Sequence, residues 1–462
     1  MMGARFKVSV AKYLVLLLIL SACAMTLPIA DSSTSADEFS SYDPGVVDPG
    51  SGDMSINNET EFMDFYNRVN NGDDMRNKTV TLLSDVTMTS FTYLEPMNPV
   101  GSETGGFSGT FNGSGYTLTA SLLGSGENIG LFSKIGVSGS VMNLKLSIVA
   151  GTSSNPLVLD NSIGQRQIGL IAGINEGSIS DCDVVSGSSI YVRSAGSISV
   201  GGIAGTSSSS GSIYSCKVTV DISAEIQAVN LELKSGGIVG TNLGTVSYSD
   251  FFGNINSNST AGSCKIYAGG IAGSNNGSIA ACTVGDPVNS VISANSTETV
   301  EIGGIAGVNN GTVSRSSVKL LSISASANSV AGGGIAGSNN GTIGDCKCTS
   351  TLTSGNSSGL VYIGGIAGNN YNAIRNCSSA GAVNLYGGYL YAGGIVGRNS
   401  NVTAVIMNCG SEPTITANGT NYVVAGGIIG IIHSGSLINS HHSGNVTGSA
   451  ATVRAGGLIG FA

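Results

Sequence analysis

The sequence predicts an all-β fold, a parallel β-helix whose short coils stack along one axis. A glycine-rich phrase, Gly-Gly-Ile-Ala-Gly or a close variant, recurs along most of the chain. Polar and apolar residues alternate between the copies, which is the pattern of β-strands. A fixed period of this size is typical of stacked repeats. The copies start 29 to 35 residues apart, at Gly169, Gly201, Gly236, Gly269, Gly303, Gly333, Gly364, Gly393, Gly426 and Gly456.

Each repeat is predicted to form one coil of three short strands and three turns. In the repeat that starts at Gly269, an Asn-Gly turn follows the phrase, and Ile279-Ala280-Ala281-Cys282-Thr283-Val284 comes next. One coil is not stable alone, because burying about five aliphatic side chains at about 2 kcal/mol each does not offset ordering about 30 residues at about 1–2 kcal/mol each. Stacked coils share hydrogen bonds and apolar contacts, and parallel crossovers favour the right hand.

Residues 1–22 are predicted to be a signal peptide, since three basic residues precede an apolar run that is too short to span a bilayer. The run ends in Leu20-Ser21-Ala22-Cys23, which resembles a bacterial lipobox. That resemblance implies lipidation of Cys23 and a durable membrane anchor. Ala24 implies the outer membrane in a host with two membranes. The alternative is ordinary cleavage beside Cys23, which would leave a secreted protein.

Residues 23–55 are predicted to be a disordered tether, because they are rich in Ser, Asp and Gly and carry no basic residue. Residues 56–125 are predicted to cap the first coil. Asn58 and Glu61 have the spacing of a helix capping box, and the apolar residues that follow share one helical face. A helix placed there would cover an open sheet edge. Those apolar residues are Phe62, Phe65 and Val69.

The repeats fill residues 126–462, and the last one is incomplete. Gly456 starts a copy that stops at Ala462, partway through a coil, with no matching cap after it. An uncovered coil exposes backbone groups that can pair with another chain. We expect either that the sequence is a fragment, or that another molecule covers this coil, as in end-to-end contact between two copies.

One turn of the repeat is marked by asparagine. Asparagine tolerates left-handed backbone angles, and its amide can bond to neighbouring backbone. Stacked in register, such amides could also form a ladder along the solenoid. A structural role therefore accounts for these residues, which are Asn175, Asn242, Asn275, Asn309, Asn339, Asn370 and Asn399.

A second repeat position is occupied mostly by cysteine, and by Ser249, Ser316 and either Asn439 or Ser440 in other coils. Small residues at one position indicate an inward ladder in which cysteine acts as a small hydrophobe. Export would permit disulfides between adjacent coils, but parallel side-chain directions suit them poorly, so free thiols are favoured. Cys264 and Cys348 lie off this ladder and are candidates for exposure. The ladder cysteines are Cys182, Cys216, Cys282, Cys346, Cys377 and Cys409.

The phrase Gly-Gly-Ile-Ala-Gly-x-Asn-x-Gly-x-Ile, as it stands at Gly269, resembles the GLUG repeat of bacterial and some archaeal surface proteins. The resemblance covers the chain from about Gly130 onward. It implies a parallel β-helix displayed outside the cell and often associated with adhesion. No catalytic residues come with the motif.

Charge and composition argue against several classes of site. A net charge of −9 with 10% charged residues is unlike a nucleic-acid binder. Three histidines and one unpaired Cys346-x-Cys348 motif do not make a zinc site, so no metal is expected. The glycines of Gly332–Gly337 match a dinucleotide fingerprint only formally, since no helix pattern follows, and no cofactor is expected.

We therefore expect a non-catalytic, surface-displayed protein that binds glycans or host proteins, with the membrane reached through the lipid anchor. One alternative is a polysaccharide-active enzyme, a lyase or glycosidase, which needs paired carboxylates. The repeats offer only scattered carboxylates, Asp181 with Asp183, and Asp345. The other alternative is a purely structural envelope protein. Enzymatic activity is not expected, because fold alone does not argue for it.

Overall fold

The computed structural model describes residues 52–89, 94–99, 105–124, 126–154, 156–159, 164–285, 290–320, 322–355 and 357–462. In this part the chain is a parallel β-solenoid of about 11 turns with a single helix. The predicted fold class, including the short N-terminal helix, is confirmed. The expected signal peptide, Cys23 and most of the expected tether lie outside the described residues.

Strands of successive coils pair in parallel and in register, so that they form columns along the solenoid. Column 1 ends at the first glycine of each phrase and contains Asn128–Ile129, Arg166–Gly169, Ile198–Gly201, Glu232–Gly236, Lys265–Gly269, Thr299–Gly303, Ser329–Gly333, Ser357–Gly364, Ala382–Gly393, Thr414–Gly426 and Thr452–Gly456. Column 2 follows the two glycines and contains Phe132–Ile135, Ala172–Asn175, Ala204–Ser207, Val239–Asn242, Ala272–Asn275, Ala306–Asn309, Ala336–Asn339, Ala367–Asn370, Val396–Met407, Ile429–Ile438 and Ile459–Phe461.

Three further columns complete the coil. Column 3 contains Met54–Ile56, Thr79–Leu82, Thr110–Asn112, Ser140–Met142, Ser178–Ser180, Ser212–Tyr214, Thr245–Ser247, Ser278–Ala280, Thr312–Ser314, Thr342–Gly344 and Ala373–Arg375. Column 4 contains Val86–Thr87, Thr117–Leu122, Lys145–Ala150, Asp183–Ser194, Lys217–Ile226, Asp250–Phe251, Thr283–Val284, Ser317–Val318, Lys347–Cys348, Ser378–Ser379, Gly410–Ser411 and His441–His442. Column 5 contains Leu157–Leu159, Ile255–Ser259, Val291–Asn295, Ser322–Ser326, Thr351–Ser354 and Val446–Ser449; some long strands of columns 1, 2 and 4 also run through a neighbouring column.

The expected count of three strands per coil was wrong, because most coils have four or five. The glycine-rich phrase is not one strand, since it bends sharply between columns 1 and 2, for example at Gly303 and Gly304. The alternating segment before the phrase is also divided, as between Asp250–Phe251 and Ile255–Ser259. Period-two alternation predicts strands but does not show where a bend interrupts them.

The core is a continuous stack of aliphatic side chains. In the coil around Gly303, Val300, Ile302, Ile305 and Val313 point inward and are at most 1% exposed. Equivalent residues of neighbouring coils lie next to them, because pairing in register keeps like side chains one above another. Each inner coil therefore buries its apolar residues against two neighbours, which is the source of stability in a repeat protein.

The single helix, Glu59–Asn70, lies at the N-terminal end of the solenoid. The Asn58 side chain accepts a 3.0 Å hydrogen bond from the Glu61 backbone N–H, which satisfies one free donor of the first turn. The Phe65 ring lies 5.5 to 6.4 Å from three rings of the first coils, measured between centroids, so the apolar face of the helix covers their core. Those rings belong to Phe107, Phe111 and Phe132.

Strand pairing begins slightly before the expected start of the cap at residue 56. Met54–Ile56 pairs with Val80–Leu82, and the Asp53 carboxylate accepts a 2.7 Å hydrogen bond from the Thr79 N–H. These residues therefore belong to the solenoid and not to the tether. In the described part of the chain, no helix has the length and apolar character needed to cross a membrane.

Candidate binding groove

The bend at the two glycines brings the outer faces of columns 1 and 2 toward each other. The cause is the third glycine of the phrase, which packs directly on column 1 backbone. A Cβ at Gly307 would lie 2.7 Å from both the Ala268 nitrogen and the Gly273 oxygen, closer than any side chain can approach. Only glycine permits this contact. The two strands thus form a V with a glycine floor, which we call the groove.

Side chains from the two columns face each other across the groove with a stagger of one coil. The Ser199 and Thr241 hydroxyls are 2.8 Å apart, and the Arg398 guanidinium lies 4.5 Å above the Tyr362 ring centroid. The column 1 positions are Ser199, Lys234, Tyr267, Glu301, Ala331, Tyr362, Tyr391 and Val424. The column 2 positions are Thr206, Thr241, Ser274, Val308, Ser338, Asn369, Arg398 and Ile431.

The middle of the groove is polar and forms an open cleft of about 420 Å³. Lys234 and Glu232 form a 3.0 Å ion pair there. One rim carries a row of exposed asparagines joined by 2.7 Å side-chain hydrogen bonds. Amide, carboxylate and hydroxyl groups in one cleft can hydrogen-bond a polar ligand from several directions. The row consists of Asn276, Asn310 and Asn340.

Glu301 has the most perturbed carboxyl of this cleft. Burial raises its pKa to about 7, because the groove removes water from the charged form. A hydrogen bond with Ser338 and the charges of Lys265 and Arg398 act in the opposite direction but are weaker. The pKa of Tyr267 is also raised, first by burial and then by the nearby carboxylates. Partial burial in the cleft is the first cause of both shifts, and groups with perturbed pKa values often lie at functional sites.

Toward the C-terminal coils the groove becomes aromatic. The Tyr362 and Tyr391 rings stack with centroids 4.8 Å apart and an angle of 24° between their planes, and Tyr422 lies 6.2 Å from Tyr391. The outer face of the same sheet adds Tyr389 and Tyr386, whose exposed fractions are 41% and 47%. We call these five tyrosines the aromatic patch. Tyrosine in such a position offers an apolar face together with a hydroxyl for hydrogen bonding.

The predicted asparagines lie at the last position of column 2, and they point inward. Six of them form a fully buried ladder in which each of the first five amides donates a 2.8 Å hydrogen bond to the amide oxygen of the next coil, whereas the last, Asn399, donates to the Ser434 carbonyl at 2.9 Å. Asn175 stands apart, because Ser207 occupies the position between it and Asn242. The ladder consists of Asn242, Asn275, Asn309, Asn339, Asn370 and Asn399.

The left-handed backbone expected at these asparagines lies instead at the next corner, between columns 3 and 4. Asp181, Ala281, Arg315 and Asp345 have φ between 51° and 56°, although they are not glycines. Each stands one residue before the cysteine or serine position. Ladder formation, and not the turn angle, therefore accounts for asparagine at the end of column 2.

The six predicted ladder cysteines lie directly after the left-handed residue of this corner, and all of them are buried and free. Burial raises the pKa of Cys282 to about 12. The pKa of Cys377 is also raised, first by hydrogen bonds with the thiols of Cys346 and Cys409, so these three thiols are neighbours. Ser249 and Ser316 replace cysteine in other coils, and each hydroxyl accepts a hydrogen bond of 3.1 or 3.2 Å from the cysteine N–H of the preceding coil.

The exposure expected for Cys264 and Cys348 was wrong, since both are fully buried. Cys348 takes the inward valine position of column 4, beside Val318 of the preceding coil. The Cys264 thiol donates a 3.0 Å hydrogen bond to the Ala228 carbonyl. A cysteine that lies outside the cysteine ladder is therefore not necessarily on the surface.

The scattered carboxylates do not form one site. Asp181 and Asp183 line a shallow pocket with Asn143 and Lys145, whereas the Asp345 carboxylate accepts a 3.0 Å hydrogen bond from Asn376. Across the described ranges, no group of three His, Cys, Asp or Glu side chains is arranged to hold a metal ion.

Sequence reasoning missed the groove, although a signal was present. The residue two places before each Gly-Gly pair varies widely and is often large, as at Tyr267, Glu301 and Tyr362, whereas its neighbours are small or aliphatic. Variable, large and polar residues between constant ones indicate a surface position. No protein-family model, curated protein or solved structure matches the chain.

Proposed function

We propose that this chain is a non-catalytic binding protein displayed on the cell surface, and that its groove binds glycans. The observation that carries the proposal is the groove itself. Its middle offers amide, carboxylate and hydroxyl groups, and its C-terminal part offers stacked tyrosines. Saccharides present hydroxyls at their edges and apolar C–H faces, so a polar cleft continuous with tyrosine rings matches both.

Display on the surface is supported by the sequence. The apolar segment before Cys23 has the charge order of an export signal, and its end resembles a lipobox. The GLUG-like phrases are similar to those of exported surface proteins. Mass spectrometry of the native N-terminus tests the anchor, and an acylated Cys23 is expected. A mature chain that starts elsewhere without lipid would contradict the anchor but not the groove.

Glycan binding is tested with the purified full chain on an array of neutral and acidic glycans. We expect binding that Tyr391→Ala in the groove abolishes. The matched control is Tyr248→Ala, because Tyr248 is a 55% exposed tyrosine at a different corner, 5.5 Å from Tyr214 between ring centroids. Loss of binding only in the Tyr248 variant would show that the site lies at that corner and not in the groove. Binding of host proteins alone would contradict a glycan ligand.

A polysaccharide-active enzyme is the second candidate, and Glu301 is the observation that favours it. A carboxyl with a pKa of about 7 in a cleft can act as a general acid near neutral pH. Incubating the full chain with polysaccharides and measuring new reducing ends or unsaturated products tests this candidate. Product formation that Glu301→Gln abolishes would replace the non-catalytic assignment.

A further inference from the structure

Arg398 differs from several other arginines of the chain in having no carboxylate partner. Arg68 pairs with Asp73 at 3.0 Å, and Arg193 pairs with Glu225 at 3.2 Å. Among the described residues, no carboxylate lies within ion-pair distance of Arg398. A partly buried guanidinium without an opposite charge is costly, so its position calls for an anion from outside the chain.

The Arg398 side chain is held in place by aromatic rings. Its guanidinium lies 4.5 Å above the Tyr362 ring centroid and 5.6 Å from that of Tyr371, and one terminal nitrogen donates a hydrogen bond to the Tyr371 hydroxyl. Its Nε is buried and has no hydrogen-bond partner. The orientation is thus fixed by stacking, and the terminal nitrogens, unlike the buried Nε, carry the donors that a ligand can reach.

One acidic group of the groove, Glu301, lies within electrostatic reach of Arg398 but has a different hydrogen-bond partner. Glu301 is close enough for the Arg398 charge to act on its pKa, but its carboxyl is hydrogen-bonded to Ser338 and is not in ion-pair contact with the guanidinium. Arginine binds carboxylates with two parallel hydrogen bonds, which fixes both position and orientation. A ligand carboxylate is therefore the group that best complements Arg398.

The aromatic patch identifies what carries that carboxylate. Tyr391 stacks on Tyr362, Tyr422 meets Tyr391 edge-on, and Tyr389 is paired in register with Tyr422 on the neighbouring strand. The faces of tyrosine rings can pack on the C–H face of a sugar that lies next to the charged group. We infer that Arg398 and the aromatic patch bind an acidic saccharide through its carboxylate, as in a uronic or a sialic acid residue. This inference rests on the proposed function.

The test compares acidic oligosaccharides with their carboxyl-reduced counterparts, using the full chain and isothermal titration calorimetry. One arm uses oligouronates and the other uses sialylated oligosaccharides, so that the two sources of the carboxylate are distinguished. A hydrogen bond to a charged group is worth about 1.5–3 kcal/mol, so wild-type protein is expected to bind at least one acidic ligand about tenfold to a hundredfold more tightly than its reduced counterpart.

Arg398→Gln is expected to remove this preference, and Arg398→Lys to retain part of it. The control is Arg375→Gln, since Arg375 is an exposed arginine on column 3 whose guanidinium donates a 3.5 Å hydrogen bond to the Met407 sulfur. Thermal unfolding of each variant separates loss of binding from loss of fold. A preference that survives in Arg398→Gln overturns the inference.

The remaining outcomes separate the inference from the proposed function. If neutral and acidic saccharides bind equally well and Tyr391→Ala loses both, the inference is wrong and glycan binding in the groove stands. If no saccharide of either kind binds, the proposed function fails, and the inference fails with it.

Discussion

The side-chain amide of Asn309 donates a 2.8 Å hydrogen bond to Oδ1 of Asn339, which lies 30 residues later and one coil further along the solenoid. The same nitrogen is 3.2 Å from the Thr342 carbonyl, so both of its donors are used. Both asparagines are fully buried. The ladder therefore fixes the register of adjacent coils, because a shift of one residue would leave buried amides unpaired.

Asn309→Ala is expected to destabilise the chain by about 2–4 kcal/mol. The substitution leaves the Asn275 amide and the Asn339 oxygen without their partners, and each buried unsatisfied group costs about 1–3 kcal/mol. The neighbouring Asn310→Ala is the control, because Asn310 bonds to Asn276 and Asn340 in an exposed row. Chemical denaturation, with hydrogen exchange around the site, measures both. Equal losses would contradict a special role for the buried ladder.

Ser207→Asn is expected to stabilise the chain by about 1–2 kcal/mol. Ser207 interrupts the ladder, and its Oγ and the Asn242 Oδ1 are both buried without a hydrogen-bond partner. An asparagine there would accept from Asn175 and donate to Asn242. Ser209→Asn, at an exposed position of the same turn, is the control and should have little effect. An unchanged or lowered unfolding temperature for Ser207→Asn would show that this longer turn has no room for the amide.

Gly307→Ala is expected to destabilise the chain by about 3 kcal/mol or more, since its Cβ would overlap backbone that cannot move away. It should also open the groove. Gly344→Ala is the matched control, because a Cβ at Gly344 meets nothing within 4 Å. Thermal unfolding of the two variants checks the prediction. A Gly307 variant as stable as the Gly344 variant would mean that columns 1 and 2 do not meet closely.

Stability is expected to fall as the pH rises from about 4.5 to about 7, and Glu301 is the cause. Its folded pKa is raised above the unfolded value of 4.5, so the folded state binds a proton more tightly and is favoured most at low pH. The pKa difference corresponds to a loss of unfolding free energy of about 1–3 kcal/mol. Partial exposure of the carboxyl places the loss at the lower part of what the pKa difference alone would give. Denaturant midpoints across this range should fall for wild type and for the exposed control Glu412→Gln. In Glu301→Gln this component should be absent, and an unchanged pH dependence would contradict the assignment.

The fold class followed from the sequence because a period of 29 to 35 residues with alternating apolar residues has few physical solutions. The helix was also predictable, since Asn58, Glu61 and the apolar face of Phe62, Phe65 and Val69 are local signals. A helix with capping residues and an apolar face of this kind can be predicted without knowledge of long-range contacts.

The corners were less predictable, because their angles depend on contacts between coils. Ala281 and Arg315 adopt left-handed backbone angles although alanine and arginine do not favour them. The surrounding backbone hydrogen bonds impose these angles. The groove was missed for the same reason. The variable, large residues at the Glu301 position indicate a surface position, but they do not show that its strand will face the one that carries Ser338. Cys348 looked separate only because other residue types, Val318 and Ser379, occupy its position in the two adjacent coils.

Each inner coil presents backbone donors, backbone acceptors and apolar side chains to the next coil in the same arrangement in which the preceding coil presents them. The number of coils is therefore not set by the architecture. Insertion or deletion of a whole repeat would add or remove one coil without requiring a new kind of interface. The groove would lengthen by about 4.8 Å with each added coil, so the reach of such a protein can change within a population while its folding rules stay the same.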